Sequence, residues 1–206
     1  MSNLSPHFSR GEFACKCGCG WANPHPHLVS QLEMLRAWAN LEPNFELSIS
    51  ITSGGRCPRH HWEVTRCKCL KPRAECKTSD RYWEVKYLPD YGVNPRCSIC
   101  HGTGSTSPES YHLPRIDDPM KFGKINLACD EFDGAPEYRK FMFSLAADFQ
   151  IMRRMFAPPG DVHPTSPTLD LAAMQAMNES WEPIWPGGWC LYDGWIHCDP
   201  GPRRRW

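Results

Sequence analysis

Cys97-Ser98-Ile99-Cys100-His101-Gly102-Thr103-Gly104 places two thiols at Cys-x-x-Cys spacing and follows them with glycines that let the backbone turn sharply around a metal. Upstream, Cys67, Cys69 and Cys76 offer a partner pair. Two such pairs, roughly 20–30 residues apart, suit a structural zinc ion held by four thiolates. Metal binding would supply the folding free energy that a segment poor in apolar residues lacks. Lys68, Lys71, Arg73, Lys77 and Arg81 make the same stretch basic. Nucleic-acid or partner binding is therefore a rival use, although a basic run is more often a solvated face. Cys15, Cys17 and Cys19 form a second group. Their spacing leaves open whether they bind metal or pack. Cys57, Cys129, Cys190 and Cys198 occur singly and are expected to be buried thiols.

Twelve cysteines in 206 residues is the excess to be explained. Met1 to Arg10 has no basic run followed by an apolar core, and no stretch reaches the ~18 apolar residues of a membrane span. The expectation is cytoplasmic synthesis without a signal peptide, where thiolate–metal sites outrank disulfides. A disulfide-stapled extracellular protein is the alternative. Lys and Arg total 23, balancing 23 Asp and Glu, which argues against nucleic-acid binding driven by bulk charge. At 41% hydrophobic residues the chain can bury a core.

The elements that must position these groups read as an α+β fold, a small antiparallel sheet flanked by helices. Pro26 to Ala39 is a helix, with Leu28, Leu32, Leu35 and Trp38 on one face. Phe45 to Thr52 alternates as a half-buried strand, and Ser53-Gly54-Gly55 ends it. Ile125 to Cys129 is a short strand. Pro136 to Phe156 reads as the longest helix, with Phe141, Leu145, Phe149, Met152 and Phe156 on one side. A short helix, Leu169 to Met177, and a strand, Trp189 to Cys198, complete the body. Residues 1–61 and 110–206 form that body, and 62–109 is a cysteine-rich zinc-knuckle insertion.

Three further fragments gain meaning together: Thr52-Ser53-Gly54-Gly55-Arg56-Cys57-Pro58, then Ser110-Tyr111-His112 with Ala128-Cys129-Asp130, then Trp195-Ile196-His197-Cys198-Asp199. The chain opens with Phe8-Ser9-Arg10-Gly11-Glu12-Phe13-Ala14-Cys15-Lys16-Cys17-Gly18-Cys19-Gly20 and closes with Tyr192 and Arg205-Trp206. In this order the fragments resemble the zinc D-Ala-D-Ala carboxypeptidase/endopeptidase family, which includes the hedgehog signalling domain, and most of all its short phage and prophage endolysin-like branch. The resemblance covers residues 4–62 and 110–206.

The resemblance implies a zinc-dependent peptidase acting on peptidoglycan stem peptides or cross-links, in phage lysis or wall remodelling. The metal ligands it implies are His112, Asp130 and His197. Two His and one Asp leave a position for water, whose pKa the metal lowers toward about 7. Arg56 would bind substrate or steady the oxyanion. Peptidoglycan peptides are the expected partner, with no membrane or nucleic acid, and the chain is expected to be a monomer.

Two departures from the family pattern stand out. In the phrase Ser-x-His-x-x-Gly-x-Ala-x-Asp the His-to-Asp step is short, whereas His112 and Asp130 are eighteen positions apart. Gly123 and the Ala-x-Asp ending favour Asp130, with Asp117 and Asp118 as alternatives. Better-known relatives also carry Glu three residues before the last His, where Gly194 stands here. On a strand Asp193, Trp195, His197 and Asp199 share a face. Asp199 is the first choice to activate water or orient a ligand, and Asp193 the second. The departures also favour a rival, a catalytically inactive zinc-binding member acting as an interaction module. Trp185, Trp189, Trp195 and Tyr111 would line a cleft or fill the core.

Overall fold

The computed structural model describes residues 3–41, 46–76, 83–85, 88–106, 110–113, 143–154, 166–201 and 203. Helix α1 is Pro26–Ala39, as expected from its spacing. Pro26 sits in the first turn, and the His25 ring caps it by accepting from the His27 amide. At its other end the Asn40 side chain donates to the Arg36 and Leu47 carbonyls and accepts from the Leu47 amide, which fixes the turn into the next strand.

That strand, β1, is Glu46–Ser53. Helix α2, Pro58–Thr65, follows directly. The strands β2 (Lys71–Pro72), β3 (Trp83–Val85) and β4 (Leu88–Val93) form a small separate sheet in the order β2-β4-β3. The main sheet continues with β5 (Ala147–Arg154) and β6 (Thr168–Leu169). Helix α3 (Leu171–Trp181) and the hairpin β7 (Gly188–Tyr192) and β8 (Trp195–Asp199) complete the described elements. The architecture is α+β with antiparallel sheets. The order of the main sheet is β1-β5-β8-β7, with β6 also pairing with β5. None of the described helices is long and apolar enough to cross a membrane.

The helix expected over Pro136–Phe156 is not what forms in its described part: Ala147–Arg154 is a strand. Phe149 fits both a helical row with Leu145 and an alternating row with Ala147 and Ile151. The alternating row wins because β5 is the central strand, paired on both sides, and Leu145, Ala147, Phe149 and Ile151 are all buried. Pro136 to Phe141, the expected strand Ile125–Cys129, Phe45 and Arg205-Trp206 lie outside the described residues. The short helix begins at Leu171 rather than Leu169, where the Asp170 carboxylate accepts from the Ala173 amide. The last strand is two, joined at Asp193-Gly194, with Gly194 at φ 81°.

The sheet divides the molecule. One face packs Leu47, Ile49, Phe149, Ile151, Trp189 and Ile196 against Leu28, Leu32 and Leu35 of α1 and Met174 and Met177 of α3. The other face carries Asp148, His197 and Asp199, because side chains alternate along a strand. Trp185 and Trp189 belong to the core rather than to a cleft, each 1% exposed. Phe149→Ala should lower the unfolding free energy by about 3–5 kcal/mol. Denaturant melts of the two proteins check this, and an unchanged midpoint would contradict a central position for β5.

Candidate metal centre

Strand register assembles the first site. Asp148 in β5 lies directly opposite His197 in β8, and Ser53 at the end of β1 lies opposite Asp148 on the other side. Directly opposed residues of an antiparallel pair have Cβ atoms ~5 Å apart, so the two side chains must meet. A register shift between Ile51 and Ser53 marks the point where β1 leaves the ladder and turns into Gly54-Gly55-Arg56. His112 comes from residues 110–113, which are stitched to this turn. The Arg56 amide donates to the His112 carbonyl at 2.8 Å, and the Leu145 amide donates to the Tyr111 carbonyl at 2.8 Å.

Three donor atoms converge. His197 Nδ1 lies 2.7 Å and His112 Nε2 3.2 Å from Asp148 Oδ1. The far nitrogen of each ring is committed elsewhere. His112 Nδ1 donates to the Gly54 carbonyl at 2.5 Å, and His197 Nε2 donates to Asp199 Oδ2 at 3.0 Å. In the neutral rings those bonds fix the tautomers, so His112 Nε2 and His197 Nδ1 present lone pairs to a carboxylate oxygen. A proton on one ring nitrogen or a metal ion among the three atoms lets them approach this closely.

The titration behaviour sharpens this. Burial pushes the His112 pKa down, toward the neutral ring. Burial also opposes charge on His197, but the hydrogen bonds that the ring makes to the Asp148 and Asp199 carboxylates outweigh it and raise its pKa. For Asp148, burial alone would raise the pKa. The charges and hydrogen bonds of His112 and His197 prevail and hold it well below the usual carboxylate range. The cluster is an ionised carboxylate with two imidazoles, each tied at its outer nitrogen. That donor set fits zinc and matches the carboxylate–histidine arrangement that orients metal-binding rings.

Asp148 is the residue that sequence reasoning missed. The carboxylate expected there, Asp130, lies outside the described residues, as do its alternatives Asp117 and Asp118. A signal existed. Ala146-Ala147-Asp148 is a second Ala-x-Asp phrase, followed by the alternating Phe149 and Ile151, but the region was read at helical period.

Arg56, expected to bind substrate or steady the oxyanion, lies against this cluster. Its Nη2 donates to Asp148 Oδ2 at 3.0 Å and its Nε to Ser53 Oγ at 3.1 Å. Asp148 thus gives one oxygen to the histidines and the other to the guanidinium, whose side chain keeps 21% of its surface exposed. Asp199 is fully buried. Besides His197, its carboxylate accepts from the amides of Gly201 and Gly188, at 2.8 and 3.4 Å. Of the two roles considered for it, orienting a ligand is the one this geometry serves. Asp193 does not share the face of His197: it is exposed in the β7–β8 turn. Trp195 stacks on Tyr192, with ring centroids 4.0 Å apart.

Asp199→Asn keeps the shape but lets an amide face His197 Nε2. The metal affinity of the histidine site should fall by roughly 10–100-fold while the fold persists. Zinc titration against a chelator indicator measures it, and unchanged affinity would remove Asp199 from the site.

Two cysteine groups complete the inventory. Cys67, Cys69, Cys97 and Cys100 bring their sulfurs together, with Cys67–Cys97 at 3.6 Å and Cys69–Cys100 at 3.4 Å. His101, Gly102 and Gly104 take left-handed backbone conformations around them, at φ 49°, 80° and 80°. The Cys100 and Ile99 amides donate to Cys97 and draw its thiol pKa down to about 6. Cys76, expected among the ligands, is not in this group: its thiol reaches the Pro72 carbonyl at 3.5 Å. Cys15, Cys17, Cys19 and Cys57 form the other group. Cys57 is buried, as a single cysteine was expected to be, but it is not alone. Cys198 is buried and its pKa is pushed up by burial, and Cys129 lies outside the described residues. The described cysteines form no disulfide. Each of the three groups can hold a metal ion: its ligand atoms lie within 4.8 Å of one another.

Comparison with protein-family models, curated proteins and solved structures finds no match to this chain.

Proposed function

We propose that the chain is a zinc-dependent peptidase of peptidoglycan stem peptides or cross-links, with His112, Asp148 and His197 holding the catalytic metal. One observation carries the reading. Two imidazoles, His112 buried and His197 partly buried, are each hydrogen-bonded at the outer nitrogen, to Gly54 and Asp199, and bring their other nitrogens to one carboxylate oxygen of Asp148. The resemblance of the Thr52–Arg56 turn, the Ser110-Tyr111-His112 phrase and the Trp195–Asp199 strand to the D-Ala-D-Ala peptidase family supports the substrate class. Ala146-Ala147-Asp148 supplies the family's Ala-x-Asp ending once the residues between His112 and Asp148 are taken as inserted.

Bound zinc would supply a Lewis acid and a water acidic enough to ionise near neutral pH. The chain's own residues do the rest. Asp148 contributes the one negative ligand charge, which leaves the site net positive toward a carbonyl oxygen. Asp199 holds His197 at its outer nitrogen, and the Gly54 carbonyl holds His112. Arg56 donates to Asp148 Oδ2 and, at the partly exposed edge, is placed to donate to a substrate carboxylate or to the oxygen that gains charge.

The reading is tested by turbidity loss of purified cell walls with zinc-loaded protein and with His197→Ala. Lysis by the first and none by the second is expected. Equal lysis by both would place the chemistry elsewhere. Zinc held by the triad with no lysis would favour the inactive, binding member of the fold.

A further inference from the structure

Phe13 to Trp21 and Gly54 to Cys57 touch closely. A Cβ on Gly54 would lie 2.6 Å from the Phe13 backbone, and one on Gly55 would lie 2.6 Å from the Trp21 ring. The Gly55 amide donates to the Phe13 carbonyl at 3.0 Å. Between these contacts sit four sulfurs. Cys15 and Cys17 are 3.3 Å apart, and Cys17 and Cys57 are 3.5 Å apart. Cys19 completes the group, all within 4.8 Å. Zinc at ~2.3 Å from each of four thiolates makes a tetrahedron with edges of about 3.8 Å, so this packing suits a single ion and is too tight for an iron–sulfur cluster. Gly18 and Gly20 take left-handed conformations, at φ 80° and 76°, as a chain bending around an ion requires. Backbone amides point at the sulfurs: Cys57 N–H donates to Cys15 Sγ at 3.3 Å, and His60 N–H to Cys57 Sγ at 3.4 Å.

We infer that Cys15, Cys17, Cys19 and Cys57 bind a zinc ion of their own, a third site, which clamps the N-terminal segment onto the loop that orients the histidine centre. The connection is short. Cys57 follows Arg56, which pairs with Asp148, and the Gly54 carbonyl accepts from His112. A zinc ion on Cys57 would pin that loop where it enters α2, and the Gly55–Phe13 hydrogen bond ties it to the same N-terminal segment, without touching the histidines. The site stands whether or not the histidine centre cleaves a peptide.

The test is zinc content by native mass spectrometry of the full chain, alone and as Cys17→Ser/Cys19→Ser. Both cysteines are exposed, so the substitution opens no core cavity. Three zinc ions in the parent and two in the variant are expected, together with roughly tenfold weaker zinc affinity at the histidine site. His197→Ala and Cys97→Ser/Cys100→Ser should each lose a different ion, so failure of this site and failure of the histidine site read separately. Unchanged zinc content in the variant overturns the inference, as does a parent whose N-terminal thiols are found as disulfides. If the variant aggregates, cobalt-loaded parent decides. Thiolate-to-cobalt absorption of two four-sulfur sites supports the inference, and that of one overturns it.

Discussion

Asp148→Asn should strip the metal from the histidine site, weakening zinc binding beyond the ~10–100-fold that loss of an outer partner costs. It should take hydrolysis with it, while Asp130→Asn changes neither. The asymmetry follows from position. Asp148 is opposite His197 in the ladder, and its two oxygens divide between the imidazoles and Arg56. An amide is a weaker, neutral donor to zinc and leaves the Arg56 charge without its partner. Phe149 and Ala147 keep the strand in place, so near-ultraviolet circular dichroism should match the parent. Equal zinc affinity in Asp148→Asn, or a collapse in Asp130→Asn, would return the ligand role to the residue that spacing alone suggested.

The insertion should depend on metal more than the body does. Its apolar cluster comprises Trp62, Cys67, Val93 and Cys100, two of them zinc-ligand candidates, with Cys69, Leu70, Tyr91 and Cys97 packed alongside. So small an apolar cluster leaves the insertion dependent on another source of folding free energy. Structural zinc contributes about 10–16 kcal/mol in small zinc-finger peptides. In Cys97→Ser/Cys100→Ser, amide hydrogen-exchange protection should disappear from β2, β4 and the 97–104 turn. Protection of β1, β5 and β8 should persist, since their core lies against α1 and α3. Protection retained throughout would show that the insertion holds itself together without zinc.

The sequence was most readable where local signals agree. Pro26 with leucines at helical spacing gives α1, and Leu47 and Ile49 alternate in β1. The Cys-x-x-Cys turn with its glycines marks Cys97 and Cys100 but leaves their partners open among Cys67, Cys69 and Cys76, and His112, His197 and Arg56 meet in space. The failures share a cause, which is dependence on remote pairing. β5 looks helical until β1 and β8 are laid beside it. Asp193 seems to share the face of His197 until the chain reverses at Gly194. Cys57 looks solitary because its partner Cys17 is forty positions away. Asp148 was hidden twice, inside a misread helix and behind a long interval after His112.

The central claim, a zinc peptidase at His112, Asp148 and His197, is tested most directly by one measurement. Purified stem peptides and cross-linked muropeptides are incubated with the zinc-loaded chain, and the products are weighed by mass spectrometry. Fragments that gain one water across a single peptide bond are expected, absent with His197→Ala and after zinc removal. Intact peptides in the presence of a fully zinc-loaded histidine site would contradict it.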